Sequence, residues 1–316
     1  MLKVLYERAF PCSSVRCAAG PNSVGTKLEY GGGEVEVQAL TPDFFDGADI
    51  ALFAMKDALS LEWAPIAAKR CGVVIDNSGA FRLDPGVPLV VPEINANRIA
   101  EADRHIIANP NCSTIQMVVA LKPLQDRYGI RRVVVSTYQS VSGAGYKGLR
   151  QLEMERAGIP EPYPAFPHPV LNSPLPHIAR FEDDGYTREE RKMIAETRKI
   201  LEDAAIAVAP TCVRVPVPNC HSESVNVELL HPYELAEARS LIAAASGIVV
   251  IDDPAADRYP LAADAAGRDE VFVGRLRRDD TVPNGLAMWI VSDNLRKGAA
   301  TNAVQIAELW IKNSWS

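Results

Sequence analysis

Three short runs, Asp49-Ile-Ala-Leu-Phe-Ala54, Gly72-Val-Val-Ile-Asp76 and His105-Ile-Ile-Ala108, are apolar at almost every position. A strand with one wet face alternates. A run with no polar side is buried on both faces, as in a parallel sheet with helices above and below. A helical pattern over 60–71 separates the first two runs, and Pro88-Leu-Val-Val-Pro92 reads as one more short strand before Glu93-Ile-Asn95. Strand, helix, strand at this spacing is the grammar of a doubly wound α/β domain. Such a domain normally opens with a strand, a glycine-rich turn and a full helix. Here a short amphipathic helix over residues 1–10 comes first, followed by the strand Ser14–Ala19, the turn Gly20-Pro21-Asn22 and the alternating strand Glu34–Gln38.

The third apolar run leads into Asn109-Pro110-Asn111 and then a helix running from Cys112 towards Leu124. Cys112 falls at the turn-to-helix junction, where unpaired N–H groups and the positive end of the helix dipole favour thiolate over thiol. A cysteine so placed is an activated nucleophile. A small buried residue at a helix start is the other reading that Cys112 alone leaves open.

Beyond it, Arg131–Ser142 begins a strand-rich second region, and the proline-dense stretch 158–176 reads as an extended arm. Thr187 to Glu202 is a helix with Glu190 at the capping-box offset from Thr187. Strands Thr211–Pro216 and Ser224–Leu229 flank a turn at Pro218-Asn219-Cys220-His221. A helix over 234–245, strands Gly247–Ile251, Glu270–Gly274 and Leu286–Ser292, and a helix from Ala299 to Lys312 complete the chain.

A net charge of -7 and a pI near 5.4 argue against nucleic acid or an anionic membrane as the main partner. No apolar run approaches the roughly 20 residues that span a bilayer. Six cysteines show no C-x-x-C pair and no metal-ligand spacing with the five histidines, so a reducing cytoplasm is expected and a metal is not. His221, at a strand-to-strand corner, could serve Cys112 as a base. Arg214 alternates with Val213 and Val215, which turns its guanidinium inward towards an anion, structural or substrate. Arg82 follows Asp76-Asn-Ser-Gly-Ala-Phe at a strand end, and Glu189 and Lys192 lie one helical turn apart.

Taken together, these stretches resemble the aspartate-semialdehyde dehydrogenase family from about residue 23 to the C-terminal helix. The resemblance rests on Val73-Val-Ile-Asp-Asn-Ser-Gly-Ala-Phe-Arg82, Pro88-Leu-Val-Val-Pro-Glu-Ile-Asn95, Asn109-Pro-Asn-Cys-Ser-Thr-Ile-Gln116 and Ser136-Thr-Tyr-Gln-Ser-Val-Ser-Gly-Ala-Gly145. Glu189-Glu-Arg-Lys-Met193, Cys212-Val-Arg-Val-Pro-Val217, His221-Ser-Glu-Ser224 and Trp289-Ile-Val-Ser-Asp-Asn-Leu295 add to it. It implies an α/β chain: a doubly wound Rossmann-type NADP-binding domain, incomplete at its N-terminus, over 1–111 and 295–316. An α+β catalytic and dimerisation domain like that of glyceraldehyde-3-phosphate dehydrogenase would occupy 112–294.

The implied reaction is reduction of L-aspartyl-4-phosphate by NADPH, through a Cys112 thioester, to L-aspartate 4-semialdehyde in lysine, threonine and methionine biosynthesis. By the same carry-over, His221 is the acid/base and Gln139 orients the substrate. Arg214 takes the α-carboxylate and Glu189 the ammonium, while Arg82, Asn111 and Lys192 hold the phosphate. Ser23, Ser142, Gly143, Ala144, Gly145 and Asn294 contact the cofactor. A homodimer or homotetramer is implied.

The departures lie in the cofactor half. The family's first strand and its G-x-x-G-x-x-G loop are absent, its Arg-Ser pair for the 2′-phosphate reads Asn22-Ser23, and Ala54-Met-Lys-Asp-Ala58 and Gly79 replace small-residue and serine positions. The expectation is that the natural start lies upstream of Met1, and that the chain as written keeps the chemistry but has lost normal NADP affinity. A non-catalytic paralogue acting in assembly, and a reductase of N-acetylglutamyl phosphate, are the rival readings.

Overall fold

The computed structural model describes residues 1–314. Trp315 and Ser316, with which the expected cofactor domain ends, lie outside the described residues. The chain divides into two compact units.

The first unit comprises Met1–Pro92, Ala96–Asn109 and the C-terminal stretch from Ala300. It holds two small sheets. Strands β1 (Cys17–Ala19), β2 (Lys27–Tyr30) and β3 (Gly33–Ala39) form one in the order β1-β3-β2, with β1 parallel and β2 antiparallel to β3. Strands β4 (Ile50–Phe53), β5 (Val73–Asp76) and β6 (Ile106–Ala108) form the other, wholly parallel, with Ile50 opposite Val73 and Val74 opposite Ile106. These are the three apolar runs, and β5 and β6 are buried at every position. The closing helix Thr301–Ser314 lays Ala303, Ile306 and Ala307 on Val73, Ile75, Val90 and Ile107. The short α1 (Leu2–Glu7) packs Val4 and Leu5 against Ala300 and Val304, and Arg8 beyond it grips Glu308 through two hydrogen bonds of 2.8 and 2.7 Å.

Three local expectations change. The helix expected over 60–71 is α2 (Asp57–Ala67): it starts earlier because Asp57 in the first turn meets the positive dipole end. Pro88–Pro92 makes a single bridge, Leu89 to Ala108, rather than a strand, since neither proline can donate to a ladder. The β2–β3 hairpin is new. Gly31 and Gly32, at φ 62° and 80°, make its turn.

The second unit comprises Pro110–Ala299 together with Glu93–Asn95, which arrive on the one-turn α3 (Pro92–Asn95). It is built on α4 (Cys112–Tyr128) and a six-stranded sheet. The strands are β7 (Ile130–Gln139), β8 (Ala207–Arg214), β9 (His221–Leu229), β10 (Ile248–Val250), β11 (Val271–Asp279) and β12 (Gly285–Ser292), in the order β10-β11-β12-β9-β7-β8. Helix α4 is buried around its whole circumference from Ser113 to Leu121, the polar Ser113, Thr114 and Gln116 included, and packs on β7, β9, β11 and β12. Helix α5 (Tyr146–Arg156), unforeseen inside the strand-rich region, precedes the irregular proline arm.

Helix α6 (Arg188–Ile200) starts with the expected capping box: Thr187 Oγ1 accepts from Glu190 N–H at 3.3 Å and Glu190 Oε2 accepts from Thr187 N–H at 2.7 Å. Glu190 also accepts the Cys212 N–H at 3.0 Å, which ties the start of α6 to β8. The sheet face opposite α4 stays half open, and there the Tyr138 and Trp289 rings meet at a 44° tilt with centroids 5.4 Å apart.

Candidate active site

Register and helix geometry bring the reactive side chains to one end of the six-stranded sheet. Gln139 is opposite Arg214, the residue after Gln139 begins a short turn, and His221 opens β9 opposite Ser292. Asn111 caps α4, its Oδ1 accepting from the N–H groups of Ser113 and Thr114 at 3.0 and 3.3 Å. Its own N–H donates to Glu196 Oε2 at 2.6 Å and its Nδ2 to Glu189 Oε1 at 2.8 Å. Cys112 is thereby fixed at the first turn of α4.

Cys112 Sγ lies 3.3 Å from His221 Nε2. Ser140 N–H donates to His221 Nδ1 at 3.1 Å, and Ser140 Oγ lies at 3.1 Å from the same nitrogen. A ring nitrogen that accepts from a backbone N–H carries no proton, so the proton of the neutral imidazole is on Nε2 and points at the sulfur. The ring is fully buried. Burial, with the nearby Arg214 charge, pushes its pKa down to about 3, only partly offset by a backbone hydrogen bond at Cys220.

The folded His221 is therefore neutral at any working pH, whereas an unfolded histidine protonates near pH ~6.5. The unfolded chain binds the extra proton below that value, so this residue's contribution to stability is lost as pH falls from about 6.5 towards 3, at most roughly 1.4 kcal/mol per pH unit. Urea unfolding at pH 7 and pH 5 checks this. The fall in stability is expected to be steeper in the unaltered chain than in His221→Gln, and equal falls would refute it.

Around this pair sit the charged groups. Arg214, buried and with its pKa lowered chiefly by that burial, donates from Nη1 to Ser140 O and lies 5.4 Å from the Phe166 ring centroid. Its Nε makes no hydrogen bond. Glu189 Oε1 accepts from Gln139 Nε2 at 3.4 Å as well as from Asn111, and Lys192 Nζ is 3.7 Å from its other oxygen. Cys112, His221, Gln139, Arg214, Glu189, Asn111 and Lys192 thus gather in the second unit.

The turn Val141–Ala144 and Gly145 border the imidazole. A Cβ on Gly143 would lie 2.9 Å from Arg214 Nη1 and 3.3 Å from His221 Cε1, so only bare backbone can come this close. Gly143, Ala144 and Gly145 are exposed, and they form a wall of nearly bare backbone beside the imidazole. Asn294 Oδ1 accepts from Ser140 Oγ and Cys220 N–H at 3.0 Å each, and its Nδ2 donates to Ser142 Oγ at 3.1 Å. It holds the wall in place. Arg82 and Ser23 belong to the first unit. Arg82 donates to the carbonyls of Asn109 and Asn77 at 2.9 and 2.8 Å, and Ser23 is exposed after a 3-10 turn.

Three contributors escape sequence reading. Ser140 acts through its backbone, and Glu196 through a backbone N–H some 85 residues away in sequence, which no pattern reports. Gly298, in a π-helical turn over Arg296–Ala300, supports the nucleophile: a Cβ there would lie 2.9 Å from Cys112 Cβ. Glu223 had a legible signal, since it follows His221 on the same face of β9.

The chain is similar to known proteins along almost its whole length. Residues 121–297 match the family described as semialdehyde dehydrogenase, dimerisation domain, and residues 1–102 the semialdehyde dehydrogenase NAD binding domain. The chain is 52% identical over 319 residues to the aspartate-semialdehyde dehydrogenase of Aquifex aeolicus, covering 98% of this chain and 94% of that one. The Bacillus subtilis aspartate-semialdehyde dehydrogenase is 45% identical, with 98% and 92% covered. Among solved structures, aspartate semialdehyde dehydrogenase II from Vibrio cholerae, complexed with ASA, superposes with a TM-score of 0.94 at 45% identity, covering 99% of this chain and 94% of that chain.

Proposed function

The chain belongs to the aspartate-semialdehyde dehydrogenase family, and from that premise we propose that Cys112 carries an NADPH-dependent reduction of L-aspartyl-4-phosphate to L-aspartate 4-semialdehyde. The observation that carries this reading is the Cys112–His221 contact of 3.3 Å at the start of α4.

The Cys112 thiolate attacks the acyl carbon, the bond from that carbon to the phosphate oxygen breaks, and phosphate leaves with the electron pair. A thioester remains on Sγ. NADPH, when bound, supplies the hydride that reduces it. The resulting oxyanion expels Cys112 as thiolate and releases the aldehyde. His221 Nε2–H faces the sulfur throughout, hydrogen-bonding first the thiolate and then the developing oxyanion. Gln139 orients the acyl group.

Arg214 grips the α-carboxylate with its fork, for which its unengaged Nε is suited. Glu189, whose present donors are all uncharged amides except Lys192, takes the substrate ammonium. Lys192 and Asn111 are the phosphate ligands of the second unit, and Arg82 is assigned to the phosphate by the family resemblance. Ser142, Gly143, Ala144, Gly145 and Asn294 present the wall for the nicotinamide, and Ser23 is assigned to the far end of NADP.

The half-open sheet face with Tyr138 and Trp289 supports assembly as a homodimer, or a tetramer of such dimers. All six cysteines are free, which suits a cytoplasmic enzyme, and no helix among the described residues is long and apolar enough to cross a membrane.

The test is phosphate-dependent reduction of NADP by L-aspartate 4-semialdehyde, with sedimentation of the same sample for its mass. Activity that needs both phosphate and the aldehyde is expected. A folded protein inert with this aldehyde would sink the proposal and favour the non-catalytic paralogue.

A further inference from the structure

Four of the side chains assigned to the chemistry each have a neighbour one step deeper on the same face of their element. Behind Cys112 on α4 stands Gln116, behind Gln139 on β7 Thr137, behind Arg214 on β8 Cys212, and behind His221 on β9 Glu223. Thr137 is opposite Cys212 on one side and Glu223 on the other. Gln116 is 1% exposed and Glu223 0%. Neither amide atom of Gln116 and neither carboxyl oxygen of Glu223 completes a hydrogen bond. Buried polar atoms are nearly always paired, so this group calls for an explanation.

The groups facing Glu223 are few. Gln116 on α4 lies near enough to favour its charge, though the geometry is too open for a bond. Cys212 on β8 is a thiol whose pKa is pushed up by burial first and then by Glu189, Glu190 and Glu223. Thr137 on β7 and Ile290 on β12 flank it in register, and His221 precedes it on its own strand. None of these is a cation. An ionised carboxylate here would be shut away from bulk solvent with no counter-charge facing it.

We infer that Glu223 stands in its uncharged acid form and, with Gln116, makes a neutral polar floor that holds His221 against Cys112. This rests on the roles of Cys112 and His221 given above. Burial drives the Glu223 pKa well above the usual carboxyl range, in the same direction. Neutrality matters to the site. A carboxylate in this place would favour the imidazolium, which needs a proton on Nδ1, where Ser140 N–H already points. It would also repel the Cys112 thiolate. The acid and the amide each both donate and accept, so a small rotation joins them without adding charge.

The experiment compares the full chain with Glu223→Gln and Glu223→Met. The infrared difference spectrum between the full chain and E223Q at neutral pH is expected to show the carbonyl stretch of a protonated acid. Carboxylate bands instead would overturn the inference. That readout needs no turnover, so its failure is distinct from failure of the catalytic assignment, which an inert unaltered chain would report. E223Q is expected to keep kcat within about twofold and its pH profile, while E223M loses kcat about 10–100-fold at unchanged KM. An E223Q chain that misfolds or falls as far as E223M overturns the inference, as does an E223M chain with unchanged kcat. Should E223M fail to fold, the infrared spectrum and E223Q decide.

Discussion

Cys112→Ser is expected to leave a folded protein whose turnover has fallen ~10⁴-fold or more, over ~5 kcal/mol of barrier at about 1.4 kcal/mol per tenfold. The serine hydroxyl is not ionised at neutral pH, and neither the α4 dipole nor a neutral imidazole donor makes it so. The fold survives because the cap of α4 is Asn111 Oδ1, not the thiol, and because the close approach of Gly298 is to Cys112 Cβ, which serine keeps. Mixing the aldehyde with NADP and no phosphate isolates the step. The unaltered chain should form about one NADPH per site, since the thioester has no phosphate to release it, and Cys112→Ser should form none. A serine variant within tenfold of the original turnover would remove Cys112 from the mechanism.

Arg214 carries the second large effect. Arg214→Lys keeps a positive charge but loses the planar fork, and kcat/KM for the aldehyde is expected to drop by about 10²–10³-fold, mostly through KM. Arg214→Leu should lose more, and in a second way. The guanidinium lies within Coulombic reach of Cys112, so removing its charge slows alkylation of the thiol by iodoacetamide, a small neutral probe. Lysine is expected to preserve that alkylation rate. If both variants alkylate and turn over alike, Arg214 supports the turn at Ser140 only, through its bond to the Ser140 carbonyl.

The parallel core of the first unit was legible because β4, β5 and β6 lack a polar face, and the start of α6 because Thr187 and Glu190 form a capping box by spacing alone. The β2–β3 hairpin was legible in principle, in Gly31-Gly32 between two short strands. The end of α4 was not: Pro123 sits inside the helix, which runs on to Tyr128. In the site, alternation with Val213 and Val215 along β8 turned Arg214 inward as the sequence pattern implied, while Gln139 and His221 lie on the buried faces of β7 and β9. What fixes the imidazole tautomer is a backbone N–H, and backbone groups are identical in every residue. Asn294 is expected at the cofactor, and the partners that orient its amide, Ser140, Ser142 and Cys220, are a set that only tertiary structure assembles.

The buried ion pair between Lys297 and Glu93, 2.7 Å apart, sets the order in which the second unit can close. Lys297 is 1% exposed, and the carboxylate beside it comes from a segment made 204 residues earlier on the ribosome. That segment, Glu93–Asn95, is bounded on both sides in the chain by residues of the first unit. The second unit is therefore not a stretch that can be cut out: a fragment begun at Pro110 leaves this carboxylate behind, and stripping a partner from a buried charge costs about 3–5 kcal/mol. During synthesis the π-helical turn that carries Lys297 and Gly298 is the last part of the unit to emerge, so the support beneath the nucleophile is seated only when almost the whole chain is outside.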